Sequence, residues 1–141
     1  MRTSAALQNS LYVYVTNNGP KVYINGSEVI SGSQGFNLNT WTHFALVRQS
    51  GTLTMYVAGQ NVGSATVNQD LGGAKPLVIG NNWNQTLGLT GHIDEFRVYK
   101  GSAVYTGNFT PPTVGAVGNA NTVLVANFDG NNASTIFLDK N

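Results

Sequence analysis

The sequence contains no cysteine, so it can form neither a disulfide framework nor a thiolate metal site. Packing must therefore supply the stability of the fold. Charged residues make up only 9% of the 141 residues, and the formal net charge is +1. The basic residues are scattered from Arg2 to Lys140 without a run. This argues against a nucleic-acid partner, because phosphate binding needs clustered Lys and Arg.

Long apolar runs are also missing, and no segment approaches the length of a membrane span, so we expect no membrane partner. No stretch shows a convincing amphipathic helix, because the apolar residues repeat with a period of two almost everywhere. The low charge does not indicate disorder. Hydrophobic residues make up 41% of the chain, and the polar remainder is rich in Asn, Thr, Ser and Gly, which are typical of turns and sheet surfaces.

Alternating segments and turn signals predict seven to nine short antiparallel strands, as in a sandwich or barrel. The dipeptide Asn25-Gly26 predicts a type I′ hairpin, and Ala58-Gly59 and Ser50-Gly51 predict further bends. Residues 76–80 read as a short strand. In GHIDEFRV (residues 91–98), Ile93 is out of phase with the residues that follow, which predicts a β-bulge near Asp94 and Glu95.

Four stretches together carry a specific pattern: WTHFALVR (41–48), GTLTMYVAG (51–59), LVIG (77–80) and LGLTGHIDEFRVYKGSAVYTGNFTPPT (87–113). As a set they resemble the later part of a laminin-G-like, concanavalin A-type jelly-roll domain, in particular the versions common in bacteriophage virion and tail proteins. The resemblance covers roughly residues 11–113. It implies an all-β, antiparallel jelly-roll β-sandwich over residues 1–117. Residues 118–141 would be a connector and a terminal strand that resembles the first strand of the same domain type.

The chain departs from the family at this terminal strand. The family's opening pattern appears here at the other end, as VLVANFDG (123–130) and STIFLD (134–139). Three alternatives explain it: a circular permutation in which the strand closes its own sandwich, insertion into a neighbouring subunit, or a longer tandem protein cut inside its next repeat. In each case we expect the apolar strand to be paired, because an empty edge invites aggregation. The assembly residues would be Val123, Leu124, Val125 and Phe128.

An enzyme is not expected. Glycoside hydrolysis needs two facing carboxyl groups, and the six acidic residues form no such cluster. We expect one of Asp94 and Glu95 to accept backbone hydrogen bonds and the other to pair with Arg97 or Arg48. No catalytic residue, cofactor or metal site is therefore predicted. Neither His43 nor His92 belongs to a ligand cluster, and a calcium site at Asp70, Asn81 and Asn82 would lack charge.

The segment GNNWNQTLG (80–88) is the candidate ligand site. A Trp ring can stack on a sugar while amides bind its hydroxyls, so Asn81, Asn82, Trp83 and Asn84 would bind glycan. The alternative is that Trp83 folds back as a loop anchor. Trp41 matches a family core position and is expected to pack inside. Tyr residues 12, 14 and 23 would form a stripe that is either core or a subunit interface.

The resemblance implies a non-enzymatic structural, decoration or adhesion module on the surface of a phage particle. Its partners would be other virion proteins or copies of itself, together with host-surface glycan. The alternative is a carbohydrate-binding module of a larger secreted protein.

Overall fold

The computed structural model describes residues 10–16, 18–71, 76–82, 84–113, 115 and 119–128. In order, the strands are β1 (Leu11–Thr16), β2 (Gly19–Ile24), β3 (Ser27–Ser31), β4 (Phe44–Gln49), β5 (Thr52–Val57), β6 (Gln60–Thr66), β7 (Phe96–Tyr99) and β8 (Thr122–Ala126). They form three antiparallel sheets, β1-β2-β3, β4-β5-β6 and β7-β8. The described residues contain no helix, which confirms the predicted all-β, antiparallel fold class. Accordingly, no helix long and apolar enough to cross a bilayer occurs in these ranges.

Three of the hairpin turns share one backbone geometry, which the sequence predicts at Asn25-Gly26, whereas at the other two it predicts only a bend. In each, both central residues have positive φ: Asn25 (52°) and Gly26 (82°), Ser50 (48°) and Gly51 (78°), Ala58 (50°) and Gly59 (78°). Positive φ at both positions defines the type I′ turn, whose twist matches that of the flanking strands. These turns therefore set the registers of β2 with β3, of β4 with β5 and of β5 with β6.

The first two sheets and residues 103–111 belong to one compact unit. Its core consists of alternate residues from both sheets: Val22, Ile24, Ile30, Leu53, Met55, Val57 and Val62, together with Val67. Each is no more than 5% exposed. Burial of side chains of this size contributes about 1.5–3 kcal/mol each, so this cluster supplies the packing that a chain without disulfides requires.

The third sheet belongs to a second compact unit, which contains the described residues of the segments 76–102 and 112–128. Here β8 pairs with β7 of the same chain, which confirms the expectation that the terminal strand is paired. The register skips Val123, because Leu124 lies opposite Val98 and Thr122 lies opposite Tyr99. This bulge leaves Val123 56% exposed. Val125 is in the regular part of the ladder and is 5% exposed.

Three details of the sequence prediction are wrong. Residues 76–80 form no strand, and the carbonyl of Gly80 instead accepts a hydrogen bond from the backbone N–H of Leu89 at 2.7 Å. Glu95 has a φ of 54° and turns the chain before β7 begins, so no ladder bulge lies there. Trp41 was expected in the core but is 70% exposed, because it precedes the first residue of β4 and lies outside the ladder.

Candidate functional site

A surface groove of about 320 Å³ lies on the outer face of the β4-β5 hairpin. Its lining residues come from both strands, from their turn and from the segment 103–111: Val47, Gln49, Ser50, Thr52, Thr54, Tyr56, Tyr105 and Thr106. All of them belong to the first compact unit. We call this feature the hydroxyl groove. Its volume is at the lower end of the range of ligand sites, about 300–1,000 Å³.

Strand alternation explains why the groove is polar. In β5, Leu53, Met55 and Val57 point into the core and are no more than 2% exposed. Since successive side chains of a strand point to opposite faces, Thr52 and Thr54 are on the outer face. The segment TLTMYV thus places a hydrophobic core and a hydroxyl-bearing surface on the same strand.

The chemistry of the lining is uniform. Of its eight residues, six carry a hydroxyl group, one an amide and one an aliphatic side chain. None is charged. Such a surface can donate and accept hydrogen bonds with a neutral polar ligand. It offers no cation for a phosphate group and no carboxylate for a metal ion.

A hydrogen-bond chain fixes one wall of the groove. The side-chain Nδ2 of Asn61 donates to the hydroxyl of Ser64 at 3.4 Å, and that hydroxyl donates to the Oγ1 of Thr54 at 3.2 Å. Because Thr54 accepts from Ser64, its own hydroxyl proton can donate to a ligand. The register supports this contact, since Thr54 lies directly opposite Ser64 in the β5-β6 ladder.

The opposite wall is aromatic. The Tyr105 ring stacks on the ring of Phe109, whose other neighbours are Tyr56 and His43 at centroid distances of 5.5 and 5.3 Å. His43 also meets Tyr105 edge-on at 5.8 Å. The imidazole of His43 is therefore part of this aromatic cluster.

Three hydrogen bonds attach the segment carrying Tyr105 to the β5-β6 turn and to the start of β6. The amide N–H of Phe109 donates to the carbonyl of Gly59 at 2.9 Å. Asn108 accepts from the backbone N–H of Asn61 at 2.9 Å and donates through Nδ2 to Oε1 of Gln60 at 3.0 Å. These bonds hold the aromatic wall over the sheet.

The predicted site at Asn81, Asn82 and Asn84 is a loop whose side chains form hydrogen bonds within the loop itself. The Oδ1 of Asn82 accepts from the backbone N–H groups of Thr86 and Leu87 at 2.8 and 3.2 Å, and its Nδ2 donates to the Thr86 hydroxyl at 3.1 Å. That hydroxyl donates to Asn84 at 2.9 Å.

The Oδ1 of Asn81 accepts from the N–H of Asn82 at 2.8 Å. Several side-chain amide atoms of Asn81, Asn82 and Asn84 are thus used in hydrogen bonds that hold the shape of the loop. Trp83 lies outside the described residues, so the glycan-binding role of this loop stays a prediction.

The carboxylates of Asp94 and Glu95 have the structural roles that the sequence predicts. The Oδ1 of Asp94 accepts from the backbone N–H groups of Glu95 at 2.7 Å and Phe128 at 3.3 Å. Glu95 forms an ion pair with Arg97. The hydrogen bond from the Phe128 N–H also fixes the second residue after the end of β8. Val123, Leu124, Val125 and Phe128 are thus placed in or beside the β7-β8 sheet, and their role in assembly stays a prediction.

The predicted tyrosine stripe lies on sheet β1-β2-β3. Tyr12 and Tyr23 face each other across the ladder, with ring centroids 4.9 Å apart and planes at 1°. Glu28 accepts hydrogen bonds from Lys21 at 2.8 Å and from the Tyr23 hydroxyl at 2.9 Å. The hydrogen bond from Lys21 is the main cause that lowers the pKa of Glu28. Its reciprocal bonds raise the pKa values of Lys21 and Tyr23.

Over the part of the chain that the structure describes, no group of three His, Cys, Asp or Glu side chains could hold a metal ion. Sequence reasoning did not find the hydroxyl groove. The available signal was the row Thr52, Thr54 and Tyr56 on the polar face of a strand whose other face is apolar. Nothing in the local sequence indicated that Tyr105 contributes to the groove, because Tyr105 is distant in sequence from β4 and β5.

The family model described as the concanavalin A-like lectin/glucanases superfamily matches residues 3–104, which is more than half of the chain. The match agrees with the laminin-G-like and concanavalin A-like resemblance of the sequence motifs. No curated protein and no solved structure matches the chain.

Proposed function

Because the chain belongs to the concanavalin A-like lectin/glucanases superfamily, we propose that it is a non-catalytic carbohydrate-binding module that holds a neutral sugar in the hydroxyl groove. The superfamily's name covers both binding proteins and hydrolytic enzymes. A choice between them has to come from the chemistry of the site, since one fold supports many functions.

The uncharged, hydroxyl-rich lining of the groove carries the proposal. A neutral sugar presents hydroxyl groups around its ring edge and C–H groups on its faces. The hydroxyls of Thr52 and Thr54 and the amide of Gln49 match the ring edge, and Val47 offers an apolar contact to a face. Because the hydrogen bond from Ser64 orients Thr54 before a ligand arrives, less entropy is lost on binding.

The absence of carboxylates from the lining favours binding over hydrolysis. Both retaining and inverting glycosidases use a pair of carboxyl groups across the scissile bond. The lining of the groove contains none. Three acidic side chains in the described residues already have partners. Asp94 accepts from a backbone N–H, Glu95 pairs with Arg97, and Glu28 pairs with Lys21. We therefore propose that bound glycan leaves the groove unchanged.

A glycan array followed by calorimetry on the best ligand tests the proposal. The informative variant is Thr54→Val, which keeps the shape of the side chain and removes the hydroxyl. Loss of one neutral hydrogen bond costs about 0.5–1.5 kcal/mol, which corresponds to roughly 2- to 10-fold weaker binding. Thr66→Val is the matched control, because Thr66 is an exposed residue of β6 that does not line the groove. Equal loss in both variants, or no glycan bound by the wild type, would contradict the proposal.

The loop at residues 81–84 is the competing site, and Trp83→Ala separates the two. If the hydroxyl groove binds the sugar, Trp83→Ala retains the wild-type affinity and Thr54→Val does not. The opposite result would assign the ligand to the loop.

The setting of this activity is supported by the motif resemblance. A glycan-binding sandwich on the surface of a phage particle would act in adhesion to host-surface glycan, with other virion proteins or further copies of the chain as neighbours. This setting stays a prediction, as does the alternative of a module in a larger secreted protein. Detection of the chain in purified phage particles by mass spectrometry would favour the phage setting. Its absence from those particles would favour the secreted protein.

A further inference from the structure

In the part of the chain that the structure describes, the outer strand β1 shows none of the features that protect strand edges in monomeric β proteins. Its sequence LYVYVT contains no charged residue and no proline. Its register with β2 runs from Leu11 to Thr16 without a bulge. Over the described part of the chain, β1 has β2 as its only sheet neighbour. Natural proteins charge, bend or cover such edges, because an open edge pairs readily with another strand.

The side chains of β1 on the core side remain partly uncovered. Leu11, Val13 and Val15 are 42%, 37% and 45% exposed. Two of their cross-strand partners, Ile24 and Val22, are 2% and 0% exposed. The apolar face of the sheet therefore continues beyond β2 to the open edge.

The backbone of β1 offers hydrogen bonds at the same edge. The N–H of Asn25 donates to the carbonyl of Ser10 at 3.0 Å, which makes this pair a hydrogen-bonded one. Hydrogen-bonded and non-hydrogen-bonded pairs alternate along an antiparallel ladder. The N–H and C=O groups of Leu11, Val13 and Val15 consequently point away from β2, toward the open edge.

We propose that β1 pairs antiparallel with β1 of a second copy of this chain, about a twofold axis at Val13. In this register Val13 lies opposite Val13 of the second copy, Leu11 opposite Val15 and Tyr12 opposite Tyr14. Each core-side residue then faces a core-side residue, and each outer residue faces an outer one. The pairing joins the two three-stranded sheets and makes the exposed apolar stripe continuous across the axis. This proposal does not depend on glycan binding.

The charges around β1 are compatible with a second copy as the occupant. The contact is the same patch on both copies, so any unpaired charge in it would face its own sign. The strand carries no charge, and the net charge of the chain is only +1. The cation of Lys21, which lies opposite Tyr14, is paired with Glu28 at 2.8 Å. Repulsion between copies is therefore small.

Sedimentation over a concentration series and hydrogen exchange test the proposal on the wild-type chain. We expect the mass to double as the concentration rises, with slow amide exchange at Leu11, Val13 and Val15 in the dimer. A single-copy mass throughout would overturn the proposal. Protected β1 amides in that monomer would mean that another segment of the chain covers the edge, and rapid exchange would mean that the edge is open.

Two variants test the register. Val13→Cys is informative because the chain contains no other cysteine. The two Cα atoms of a hydrogen-bonded antiparallel pair are about 5.5 Å apart, within the range of about 4.4–6.8 Å that a disulfide spans. Mild oxidation should thus give a cross-linked dimer, and the exposed control Thr66→Cys should not. Equal cross-linking of both would indicate random association and overturn the proposal.

Val13→Pro removes only an N–H that points to the open edge, a position where strands tolerate proline. We expect a monomer with the circular dichroism spectrum of the wild type. A folded Val13→Pro chain that still forms the dimer would exclude this register.

Discussion

The Tyr105 ring lies flat against the ring of Phe109, with centroids 3.6 Å apart and planes within 6° of parallel. Phe109 is in turn fixed to the β5-β6 turn by the hydrogen bond from its N–H to the carbonyl of Gly59. One wall of the hydroxyl groove therefore depends on a segment that is distant in sequence from the strands forming the floor. The stability of this segment and the affinity of the groove should change together.

Phe109→Leu should weaken both. The substitution removes ring contacts to Tyr105, Tyr56 and His43, and we expect a loss of about 1–3 kcal/mol in the free energy of unfolding. Glycan affinity should fall as well, because Tyr105 loses its support. Chemical denaturation and calorimetry measure the two effects. Phe36→Leu is the control, because Phe36 packs on the core away from the groove lining. Unchanged affinity in Phe109→Leu would show that the aromatic wall does not contribute.

Gly59→Ala should destabilise the fold more than most surface substitutions. Gly59 has a φ of 78°, and an added Cβ would lie 1.9 Å from the carbonyl oxygen of Phe109. Backbone strain of this kind costs roughly 1–3 kcal/mol, and the displaced segment adds to it. Gly107→Ala is the matched control, since a Cβ there meets no atom within 4 Å. Thermal unfolding of the two variants decides the matter, and equal melting temperatures would be incompatible with the close approach at Gly59.

Ala58→Asn should stabilise the chain. Ala58 has a φ of 50° in a type I′ turn, a conformation that costs most L-residues roughly 1–2 kcal/mol and that Asn adopts readily. We expect a gain of roughly half that cost or more in urea denaturation. Asn25→Ala, at a φ of 52°, provides the reciprocal change and should destabilise by a similar amount. A loss of stability in Ala58→Asn would contradict the turn assignment.

The pKa of Glu28 should rise toward its ordinary value in Lys21→Met, because the hydrogen bond from Lys21 is the main cause of its lowering. The carboxyl resonance of Glu28 followed by NMR over an acid titration reports this directly. Since folding lowers this pKa, the stabilisation is present above the ordinary value of 4.5 and is lost as the pH falls through the folded value. Folding raises the pKa values of Lys21 and Tyr23. Their contribution to the free energy of unfolding is therefore lost as the pH rises into the alkaline range. An unchanged Glu28 titration in Lys21→Met would contradict the assigned contact.

Local rules accounted for much of the fold. The Asn25-Gly26 turn and the core face of β5 follow from turn chemistry and from a period of two. The roles of Asp94 and Glu95 were also predictable, because the six acidic residues form no catalytic cluster and Arg97 lies two residues after Glu95. The position of Trp41 was not, since its exposure depends on where the β4 ladder starts. The absence of a strand at residues 76–80 likewise reflects a loop contact, from Leu89 to Gly80, that the local pattern does not contain.

The hydroxyl groove could be predicted only in part. The polar face of β5, with Thr52 and Thr54, is visible in the sequence. The partner wall is not, because Tyr105 reaches the groove through stacking on Phe109 and through the bonds of Asn108 to the β6 strand. Contacts between segments this far apart follow from tertiary packing and have no periodic signal in either segment.

The most direct test of the account is an NMR titration of the ¹⁵N-labelled chain with the best neutral glycan from the array. The account predicts that the largest amide shifts cluster at Gln49, Ser50, Thr52 and Thr54 and at Tyr105 and Thr106. Shifts confined to residues 81–88, or no shifts with any neutral glycan, would contradict it.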